Sequence, residues 1–402
     1  MADLSVEFAG VRFKNPVLVG SGEPTYSIEN MRQCIEAGAG GIVAKSVSNS
    51  PGLRRMFSTW RILNEKHEVA RGKVPRLFTF YARGGASRKT LDEWLAVLKE
   101  GKKIADAHDA VLIGSAMGPD ISSWREQCQR MEDIGIRMAE LNFGCPHPAS
   151  MKLEHKEGME IGQDVELSAE IVRAVTGAVS IPVIVKLTPQ VPDVVEIAQK
   201  MKESGAAGVT MFNRFVGFVV DVEAAKPVIE GWAGVGGPWV KPLTLRWISK
   251  VYAAMNDFPV SGSNGPYDWK DVVEFMMSGA TTVQLCTVFL VKGLDYVKDV
   301  VAGLNAFLDR KGYKSAREII GLAAKQALLY DDIFRLGRVR ATIDEARCTA
   351  CGICLRSCMF RAIQSEDGRY RVSQDNCAGC ELCFSLCPAD AIRFVPAPVS
   401  AS

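Results

Sequence analysis

Eight cysteines close to the C-terminal end of the chain follow one spacing twice. The pattern is C-x2-C-x2-C-x3-C, and each cysteine of the first copy has its counterpart 29 residues later. The two copies are Cys348, Cys351, Cys354 and Cys358, and Cys377, Cys380, Cys383 and Cys387. The similarity continues past the cysteines, since Ala362-Ile363 corresponds to Ala391-Ile392. The segment is therefore an internal duplication of one short unit.

The spacing resembles that of two-cluster bacterial ferredoxins, which hold two [4Fe–4S] clusters. Three thiolates on a tight loop can point to one centre, and the fourth ligand of each cluster comes from the other motif. The predicted ligand sets are Cys348, Cys351, Cys354 and Cys387 for one cluster, and Cys377, Cys380, Cys383 and Cys358 for the other.

Two other uses of these cysteines fit less well. Zinc sites are typically built from two C-x2-C pairs rather than from triads with an outlying fourth residue. Disulfide frameworks are typical of small secreted chains, and this chain is neither small nor equipped with a recognisable signal peptide. One departure from the ferredoxin pattern is Met359, which follows Cys358 where Pro388 follows Cys387. It removes no ligand.

Length and composition limit the remaining possibilities. A chain of 402 residues is long enough for one large and one small domain. The formal net charge of +2 favours neither a nucleic acid nor an anionic membrane as partner, and no apolar run approaches the about 18 residues of a membrane helix. Eight cluster cysteines indicate a reducing compartment, so we expect a cytoplasmic protein. The other four cysteines are Cys34, Cys128, Cys145 and Cys286.

Up to about residue 310, short apolar runs alternate with amphipathic stretches. Eight runs are candidate buried strands: Val17–Ser21, Ile42–Lys45, Val111–Ser115, Met138–Asn142, Val183–Leu187, Gly208–Phe212, Pro259–Gly262 and Thr282–Cys286. Helices are predicted between and after them at Ser27–Ala37, Ser122–Ile134, Val165–Val175, Pro192–Ser204, Lys241–Met255, Trp269–Met277 and Val297–Asp309. Eight such units favour a (β/α)8 TIM barrel, with an open doubly wound sheet as the alternative.

The predicted organisation is a barrel domain over residues 1–336 and an α+β bacterial-ferredoxin-like domain over residues 337–402. Pro192 suits the first turn of its helix. Leu77–Phe80 has no place among the eight strands and is assigned to an insertion after the second one. Lys314 to about Leu336 is predicted to form one more helix, and the tail from Val395 is predicted to be loose.

The carboxyl ends of the predicted strands carry the polar residues. In a (β/α)8 barrel these ends face the active site. The loop Gly262-Ser263-Asn264-Gly265 follows the seventh strand, where barrels commonly bind a phosphate on exposed backbone N–H groups. Lys45 and Lys186 lie at two other strand ends. A buried lysine is costly unless it faces an anion, so each faces either an anionic ligand or a structural carboxylate.

Several motifs occur together and in order: Asn142-Phe143-Gly144-Cys145-Pro146, Lys186-Leu187-Thr188-Pro189, the glycine loop and the two cysteine motifs. Together they resemble the FMN- and cluster-binding subunit of the dihydropyrimidine dehydrogenases over essentially the whole chain. The dihydroorotate dehydrogenases share the barrel and its Asn-x-x-Cys loop.

The resemblance implies FMN across the barrel mouth and two [4Fe–4S] clusters. The residues facing the ring and ribityl chain of FMN would be Ser21, Gly22, Lys45 and Lys186. Those around its phosphate or the approach to it would be Gly237, Gly262, Asn264, Gly265, Gln284 and Thr287. Asn142 and Asn213 would bind a substrate amide edge. Cys145 would be the general acid, where a mobile loop of about residues 146–162 begins.

Reducing an electron-poor C=C bond requires a hydride on one carbon and a proton on its neighbour. A thiol with a pKa of about 8.5 is protonated near pH 7 and can donate that proton. The alternative role of Cys145 is a small buried hydrophobic residue, which is the role we prefer for Cys34, Cys128 and Cys286. His147 is close enough in sequence to tune Cys145.

Three departures from the family bear on the substrate. Arg214 follows Asn213 where the family has a small hydroxylic residue, and a buried arginine suggests a substrate carboxylate or a further carbonyl. Tyr81 falls near the place of another substrate asparagine. The loop from Met151 to Lys156 is longer and more basic than that of the family.

No convincing G-x-G-x-x-G follows a predicted strand, so we expect no dinucleotide site in this chain. The resemblance implies a partner subunit that carries FAD and iron–sulfur clusters, oxidises NAD(P)H and feeds this chain's clusters. It also implies a homodimer of barrels within a hetero-oligomer. Three functions stay open: reduction of a cyclic amide, oxidoreduction of a carboxylated ring such as dihydroorotate through Arg214, and non-catalytic electron relay. The joint presence of Asn142, Cys145, Lys186 and Asn213 argues against the relay.

Overall fold

The computed structural model describes residues 1–147, 155–329, 332–333 and 339–397. The chain divides into two compact units, Met1–Gln326 and Ala327–Ser402. The boundary predicted between residues 336 and 337 lies outside the described residues, as do the middle of the predicted 146–162 loop and the end of the C-terminal tail.

A closed barrel of eight parallel strands forms the first unit. Every strand pairs with the next, and the last pairs with the first. The strands are β1 Val17–Val19, β2 Gly41–Val43, β3 Val111–Met117, β4 Ala139–Asn142, β5 Val183–Lys186, β6 Gly208–Met211, β7 Val260–Ser263 and β8 Ala280–Leu285. All eight predicted strands are present, so the TIM barrel is confirmed and the open sheet is wrong.

A helix follows each strand and covers the outside of the barrel. The helices are α1 Ile28–Glu36, α2 Leu91–Ala107, α3 Ile121–Asp133, α4 Val165–Thr176, α5 Val194–Glu203, α6 Lys241–Ala254, α7 Trp269–Met277 and α8 Val297–Lys311. Helix α2 was not predicted from the sequence, although Thr90 and Glu93 form a capping box at its start.

Helix α5 begins later than predicted. Pro192 lies outside the helix, because Asp193 is the N-cap and its side chain accepts hydrogen bonds from the N–H groups of Val195 and Glu196. A carboxylate that satisfies two free N–H groups at the helix start determines where the helix begins more strongly than proline's preference for the first turn.

Two insertions build a small antiparallel sheet. Its strands, in spatial order, are Phe215–Gly217, Ala233–Gly236, Thr79–Arg83 and Thr59–Leu63. The predicted insertion after the second strand is confirmed. The two strands that the segment after β6 contributes to this sheet were not predicted. The sheet brings distant parts of the chain together, since Val235 pairs with both Phe215 and Tyr81.

The helix predicted from Lys314 to about Leu336 is wrong over residues 314–329, whereas residues 332–333 are helical. Two short 3-10 turns, Ala316–Ile319 and Ala324–Gln326, occupy its first part. Ile320 is extended and Gly321 has a φ of +76°, so the helical conformation is interrupted between the two turns. Residues 330–331 and 334–338 lie outside the described residues.

The second unit has the twofold repetition that the cysteine spacing predicts. Helix Ile353–Ser357 recurs as Leu382–Leu386, again 29 residues later. Strand Val339–Ile343 pairs with Ile392–Pro396, and Ile363–Glu366 pairs with Arg369–Val372. The equivalent residues Ala362-Ile363 and Ala391-Ile392 are all buried. Within the described ranges, no helix is both long and apolar enough to cross a membrane.

Packing between the outer helices predicts the effect of two glycine substitutions. A Cβ on Gly303 of α8 would lie 2.2 Å from the Cδ1 atom of Trp269. The clash in Gly303→Ala should cost about 1–3 kcal/mol of folding free energy. Alanine's higher helix propensity returns about 1 kcal/mol, so we expect a net loss of stability. Gly101→Ala in α2 is the matched control, because its Cβ would meet flexible side-chain ends at 3.3 Å. We expect thermal unfolding to show a lower Tm for the first variant and an equal or higher Tm for the second. Equal shifts of both would contradict this packing account.

Candidate active site

A cleft lies at the carboxyl ends of the barrel strands and encloses about 980 Å³, including space open to solvent. This volume is within the range of small-molecule sites. The residues predicted for cofactor, substrate and catalysis line it, with one exception discussed below. They are Ser21, Gly22, Lys45, Asn142, Cys145, Lys186, Asn213, Arg214, Gly237, Asn264, Gly265, Gln284 and Thr287.

Gly262 is the predicted residue that does not line the cleft. It lies in β7, and a Cβ there would be 2.3 Å from the Cδ1 atom of Phe275 and 3.3 Å from Ile248. These side chains belong to α7 and α6, outside the barrel. The structure thus accounts for Gly262 by helix packing.

Lys186 belongs to a buried polar network inside the barrel. Its Nζ atom donates to Gln284 Oε1 at 2.9 Å and lies 3.8 Å from Glu140 Oε1. The other carboxylate oxygen of Glu140 accepts hydrogen bonds from Thr210 Oγ1 and Gln284 Nε2 at 2.9 and 2.8 Å. An ammonium group has three donors, so Lys186 has a structural partner and retains capacity to bind a ligand in the cleft.

Lys45 is also paired. Its ammonium donates to Glu23 Oε1 at 3.1 Å, and both side chains are largely buried. Burial alone would raise the pKa of the Glu23 carboxyl, but the charges of Lys45 and Arg214 outweigh it and lower that pKa. The cleft therefore contains an ionised carboxylate that sequence analysis missed. Glu23 comes directly after Ser21-Gly22 at the end of β1, which was the available signal.

Asn142 and Asn213 are hydrogen-bonded to each other. Asn213 Nδ2 donates to Asn142 Oδ1 at 3.2 Å, and Asn142 Nδ2 donates to Ser46 Oγ at 3.0 Å. The backbone N–H of Arg214 donates to Asn213 Oδ1 at 2.8 Å. These bonds fix both amide groups, and each keeps an N–H donor for the cleft because a primary amide has two.

The thiol of Cys145 is buried, with 7% of the residue exposed. Burial raises its pKa, and the His147 backbone N–H and the charges of Arg214 and Lys45 offset only part of that increase. The thiol is therefore protonated at neutral pH. This is the protonation state that a general acid requires.

His147 is a neutral hydrogen-bond acceptor in this site. Its Nε2 atom accepts from the Gly84 N–H at 3.2 Å and lies 3.3 Å from Arg214 Nη2. Burial and the charges of Arg214, Lys45 and Arg83 lower its pKa well below the usual value. Both neighbours are donors, so the ring proton is on Nδ1.

Arg214 is held rigidly on the cleft wall. Its Nη1 atom donates to the Ala82 carbonyl at 3.1 Å, and the guanidinium lies 5.4 Å from the centre of the Phe80 ring. With His147, these contacts use two of its five donors. A charged group therefore faces the substrate region with donors to spare.

The loops that follow β6 and β7 have the backbone expected of a phosphate site. Gly237 has a φ of +126°, and its Cβ would be 2.4 Å from the Phe78 carbonyl oxygen, so the position requires glycine. Asn264 and Gly265 also have positive φ. With Lys45 and Lys186 in the same cleft, this set of glycine backbone and ammonium donors fits FMN, whose phosphate and reduced ring are both anionic.

The cleft residues that were not predicted include two aromatic side chains of the insertion, and Tyr81, which was considered for the substrate region, lies elsewhere. Phe78 and Phe80 line the cleft from the insertion, whereas Tyr81 is buried behind it with its hydroxyl donating to the Gly231 carbonyl. Cys286 also lines the cleft. Burial raises its pKa to about 11, which agrees with a packing role.

The eight cysteines of the second unit surround two cavities of about 340 and 440 Å³. Cysteines from both motifs meet in each cavity. The smaller is lined by Cys348, Cys351, Cys354 and Cys387, and the larger by Cys358, Cys377, Cys380 and Cys383 together with Cys354. Four thiols around a cavity fit a [4Fe–4S] cluster, and backbone N–H groups of Ala341 and Ala391 point to the sulfurs of Cys377 and Cys387.

Comparison with known proteins agrees with this geometry. Residues 3–308 match the family model described as dihydroorotate dehydrogenase. The chain belongs to the dihydroorotate dehydrogenase family. Residues 341–394 match a 4Fe-4S dicluster domain, so this member of the family carries a C-terminal iron–sulfur domain.

Two kinds of relative are similar to the chain. The NAD-dependent dihydropyrimidine dehydrogenase subunit PreA of Escherichia coli (strain K12) is 30% identical over 405 residues, which cover 98% of this chain and 95% of the relative. The catalytic subunit of dihydroorotate dehydrogenase B (NAD(+)) of Pyrococcus abyssi is 32% identical over 323 residues, which cover 80% of this chain and 99% of the relative. The predicted family and the predicted class, a dihydropyrimidine dehydrogenase-like oxidoreductase, are confirmed.

The electrostatics of this dihydroorotate dehydrogenase-family cleft predict how Cys145 reacts with iodoacetamide. Alkylation requires the thiolate, so it should be slow at pH 7 and accelerate as the pH rises through the raised pKa. Arg214→Met removes a cation that stabilises the thiolate and should move this rise to higher pH. Arg130→Met, on the outer surface of α3, is the control and should leave the profile unchanged. Mass spectrometry of the Cys145 peptide measures the rate. A wild-type thiol fully reactive at pH 7 would contradict this account.

Proposed function

We propose that this chain is the catalytic subunit of a flavin- and iron–sulfur-dependent oxidoreductase that reduces the C=C bond of a cyclic amide such as a pyrimidine. The observation that carries the proposal is one cleft in which a protonated, buried Cys145 lies with the Asn142–Asn213 pair and two lysines. This set provides a proton donor, an amide-binding edge and cationic groups in the same place.

The cofactor of the barrel is proposed to be FMN. Lys45 and Lys186 would face the ring and ribityl chain with Ser21 and Gly22. The phosphate or its approach would be surrounded by Gly237, Asn264, Gly265 and Thr287. Gly262 is left out because it packs against Phe275 outside the barrel. FMN supplies the hydride-transfer chemistry when bound. Because Gln284 accepts a hydrogen bond from Lys186, we assign Gln284 to the ring together with that lysine.

Cys145 is proposed to donate the proton to the carbon next to the one that receives hydride. Its S–H bond is intact at neutral pH because burial raises the thiol pKa. The neutral His147 contacts the Arg214 guanidinium and helps to hold it in the cleft. The positive charge of Arg214 acts on the Cys145 thiol. That cation stabilises the thiolate left behind, so the same contacts that position Arg214 also lower the cost of proton transfer.

Asn142, Asn213 and Arg214 are proposed to bind the substrate. The two amides can donate to ring carbonyl oxygens. Arg214 favours a second candidate, a carboxylated ring, because a guanidinium pairs well with a carboxylate. Relatives named as catalytic subunits of dihydroorotate dehydrogenase B support the same candidate.

Electrons are proposed to enter through two [4Fe–4S] clusters bound by the ligand sets given above. The barrel has no recognised dinucleotide motif, and the similar Escherichia coli protein is named as an NAD-dependent enzyme's subunit. We therefore propose a hetero-oligomer with an NAD(P)H-oxidising partner that carries FAD and iron–sulfur clusters, built on a homodimer of barrels. Eight thiolates ligating iron favour a reducing compartment, the cytoplasm.

Iron analysis tests the cluster assignment. Two [4Fe–4S] clusters contain about eight iron atoms per chain. Cys380→Ala should remove one cluster and lower the content to about four. Cys128→Ser is the control, since Cys128 is buried in α3, and it should keep all the iron. Iron that is unaffected by Cys380→Ala would show that this residue is not a ligand.

Photoreduced protein mixed anaerobically with uracil or with orotate tests the substrate class. The compound that belongs to the enzyme's substrate class should reoxidise the reduced flavin. The return of the absorption of oxidised flavin measures this reaction. If the ring carries a carboxylate, Arg214→Ala should raise KM about 10- to 100-fold, because a hydrogen bond to a charged group contributes about 1.5–3 kcal/mol. Uracil should be much less affected. An unchanged KM for every substrate would exclude the carboxylate role.

Replacing the proton donor tests the mechanism. Cys145→Ala should lower kcat by about 10²- to 10⁴-fold, the usual contribution of a general acid. Cys34→Ala changes a buried thiol of α1 outside the cleft and should retain turnover. Wild-type turnover by Cys145→Ala at neutral pH would disprove the acid assignment.

A further inference from the structure

Glu23 is the one acidic side chain among the described residues that line the cleft. The other charged side chains of the cleft wall are cationic, namely Lys45, Lys186 and Arg214. A carboxylate here needs an explanation, because the proposed cofactor has an anionic phosphate and its ring becomes anionic on reduction. The mechanism above gives Glu23 no role.

Two contacts hold the Glu23 carboxylate in the cleft. The Lys45 ammonium donates to Glu23 Oε1 at 3.1 Å, and only 21% of the Glu23 side chain is exposed. A Cβ on Gly84 would lie 3.2 Å from the same oxygen, so the backbone of the insertion after β2 comes close to it. Glu23 itself begins a 3-10 turn, Glu23–Thr25, directly after the end of β1. The carboxylate is therefore fixed beside Lys45.

Both lysines of the cleft are paired with a carboxylate, but the two carboxylates lie in different places. Glu140, 3.8 Å from Lys186, is completely buried inside the barrel. Glu23 lies with Lys45 in the wall of the cleft. Its negative charge therefore faces a bound ligand directly and offsets the positive charge of Lys45 at that position.

The thiol of Cys286 shows that the Glu23 charge acts within the cleft. Burial is the largest cause of the raised pKa of this thiol, the Glu23 charge adds to it, and the charges of Lys186, Lys45 and Arg214 oppose it. The cleft volume of about 980 Å³ corresponds to a width of about 10 Å, which is close to the Debye length in physiological salt. A group bound in the cleft is therefore within reach of the Glu23 charge.

We propose that Glu23 is a positioning residue that holds Lys45 and offsets its charge, and that it thereby lowers the reduction potential of the bound flavin. This inference rests on the proposed function. Reduction adds negative charge to the flavin ring, and a neighbouring carboxylate opposes that change by Coulomb repulsion. A lower potential makes the reduced flavin a stronger hydride donor, which suits an enzyme that reduces a C=C bond.

The reduction potential of the flavin in the complete protein tests this proposal. Glu23→Gln removes the negative charge and keeps a side-chain oxygen that can accept from Lys45. This variant should hold the two electrons about tenfold more tightly than wild type, a rise of about 30 mV in the potential. Glu23→Asp keeps the charge and should stay close to wild type. Glu29→Gln, on the exposed face of α1, is the control and should match wild type. Anaerobic photoreduction in equilibrium with a redox dye measures the potential, with the cluster absorption of flavin-depleted protein subtracted.

An unchanged or lower potential in Glu23→Gln would overturn the proposal. Equal rises in Glu23→Gln and Glu23→Asp would also overturn it, because they would show an effect of shape and not of charge. Wild-type protein without bound flavin would instead overturn the proposed function.

Alkylation of Cys286 by iodoacetamide gives a second readout, in flavin-free protein. Removing the Glu23 charge should lower the pKa of the thiol. Because the thiolate is the reactive form, Glu23→Gln should be alkylated faster than wild type at the same alkaline pH. Equal rates would contradict the proposal, since they would show that the Glu23 charge does not act within the cleft.

Discussion

The buried pairing of Glu140 with Lys186 is the constraint on which the active site depends. Glu140 is completely buried in β4, and its carboxylate is approached by Lys186 from β5, Thr210 from β6 and Gln284 from β8. Leaving one member of such a pair unpartnered costs about 3–5 kcal/mol. The charges are therefore compatible with the fold only when the barrel closes and brings these strands together. Closure also presents the Lys186 ammonium at the mouth, where an anionic cofactor can use its remaining donors.

A second set of contacts connects the insertions to the chemistry. Arg214 follows β6, yet it is fixed by the Ala82 carbonyl and the Phe80 ring of the other insertion and by His147 after β4. Its charge acts on three neighbours with one physical effect. It adds to the effect of burial that keeps His147 neutral, helps to ionise Glu23 and partly stabilises a Cys145 thiolate. The four antiparallel strands therefore position a cation and do not merely cover the barrel.

Features that repeat or alternate along the chain were predictable from sequence. The eight barrel strands are short apolar runs, and the cysteine duplication reappears as helices Ile353–Ser357 and Leu382–Leu386. Nearly all the site residues predicted at the polar strand ends line the cleft, because parallel strands direct their carboxyl ends to one side. What failed depends on contacts between distant residues. Gly262 is glycine because of Phe275, and Glu23 is recognisable only once its partner Lys45 is placed. Tyr81 has a different cause: it alternates with its neighbour Phe80 along one strand, and Phe80 faces the cleft. The helix expected after Lys314 was wrong because amphipathic spacing does not register a backbone break at Gly321.

The flavin content of anaerobically purified protein tests the central claim most directly, namely that this cleft and these cysteines are a flavin site and its electron supply. The account predicts about one FMN per chain, released by acid and seen as flavin absorption on top of cluster absorption. Lys186→Met should lose much of that flavin while keeping the clusters, because the lysine belongs to the barrel and the cysteines to the other unit. Protein that shows cluster absorption alone, with no flavin before or after incubation with FMN, would contradict it.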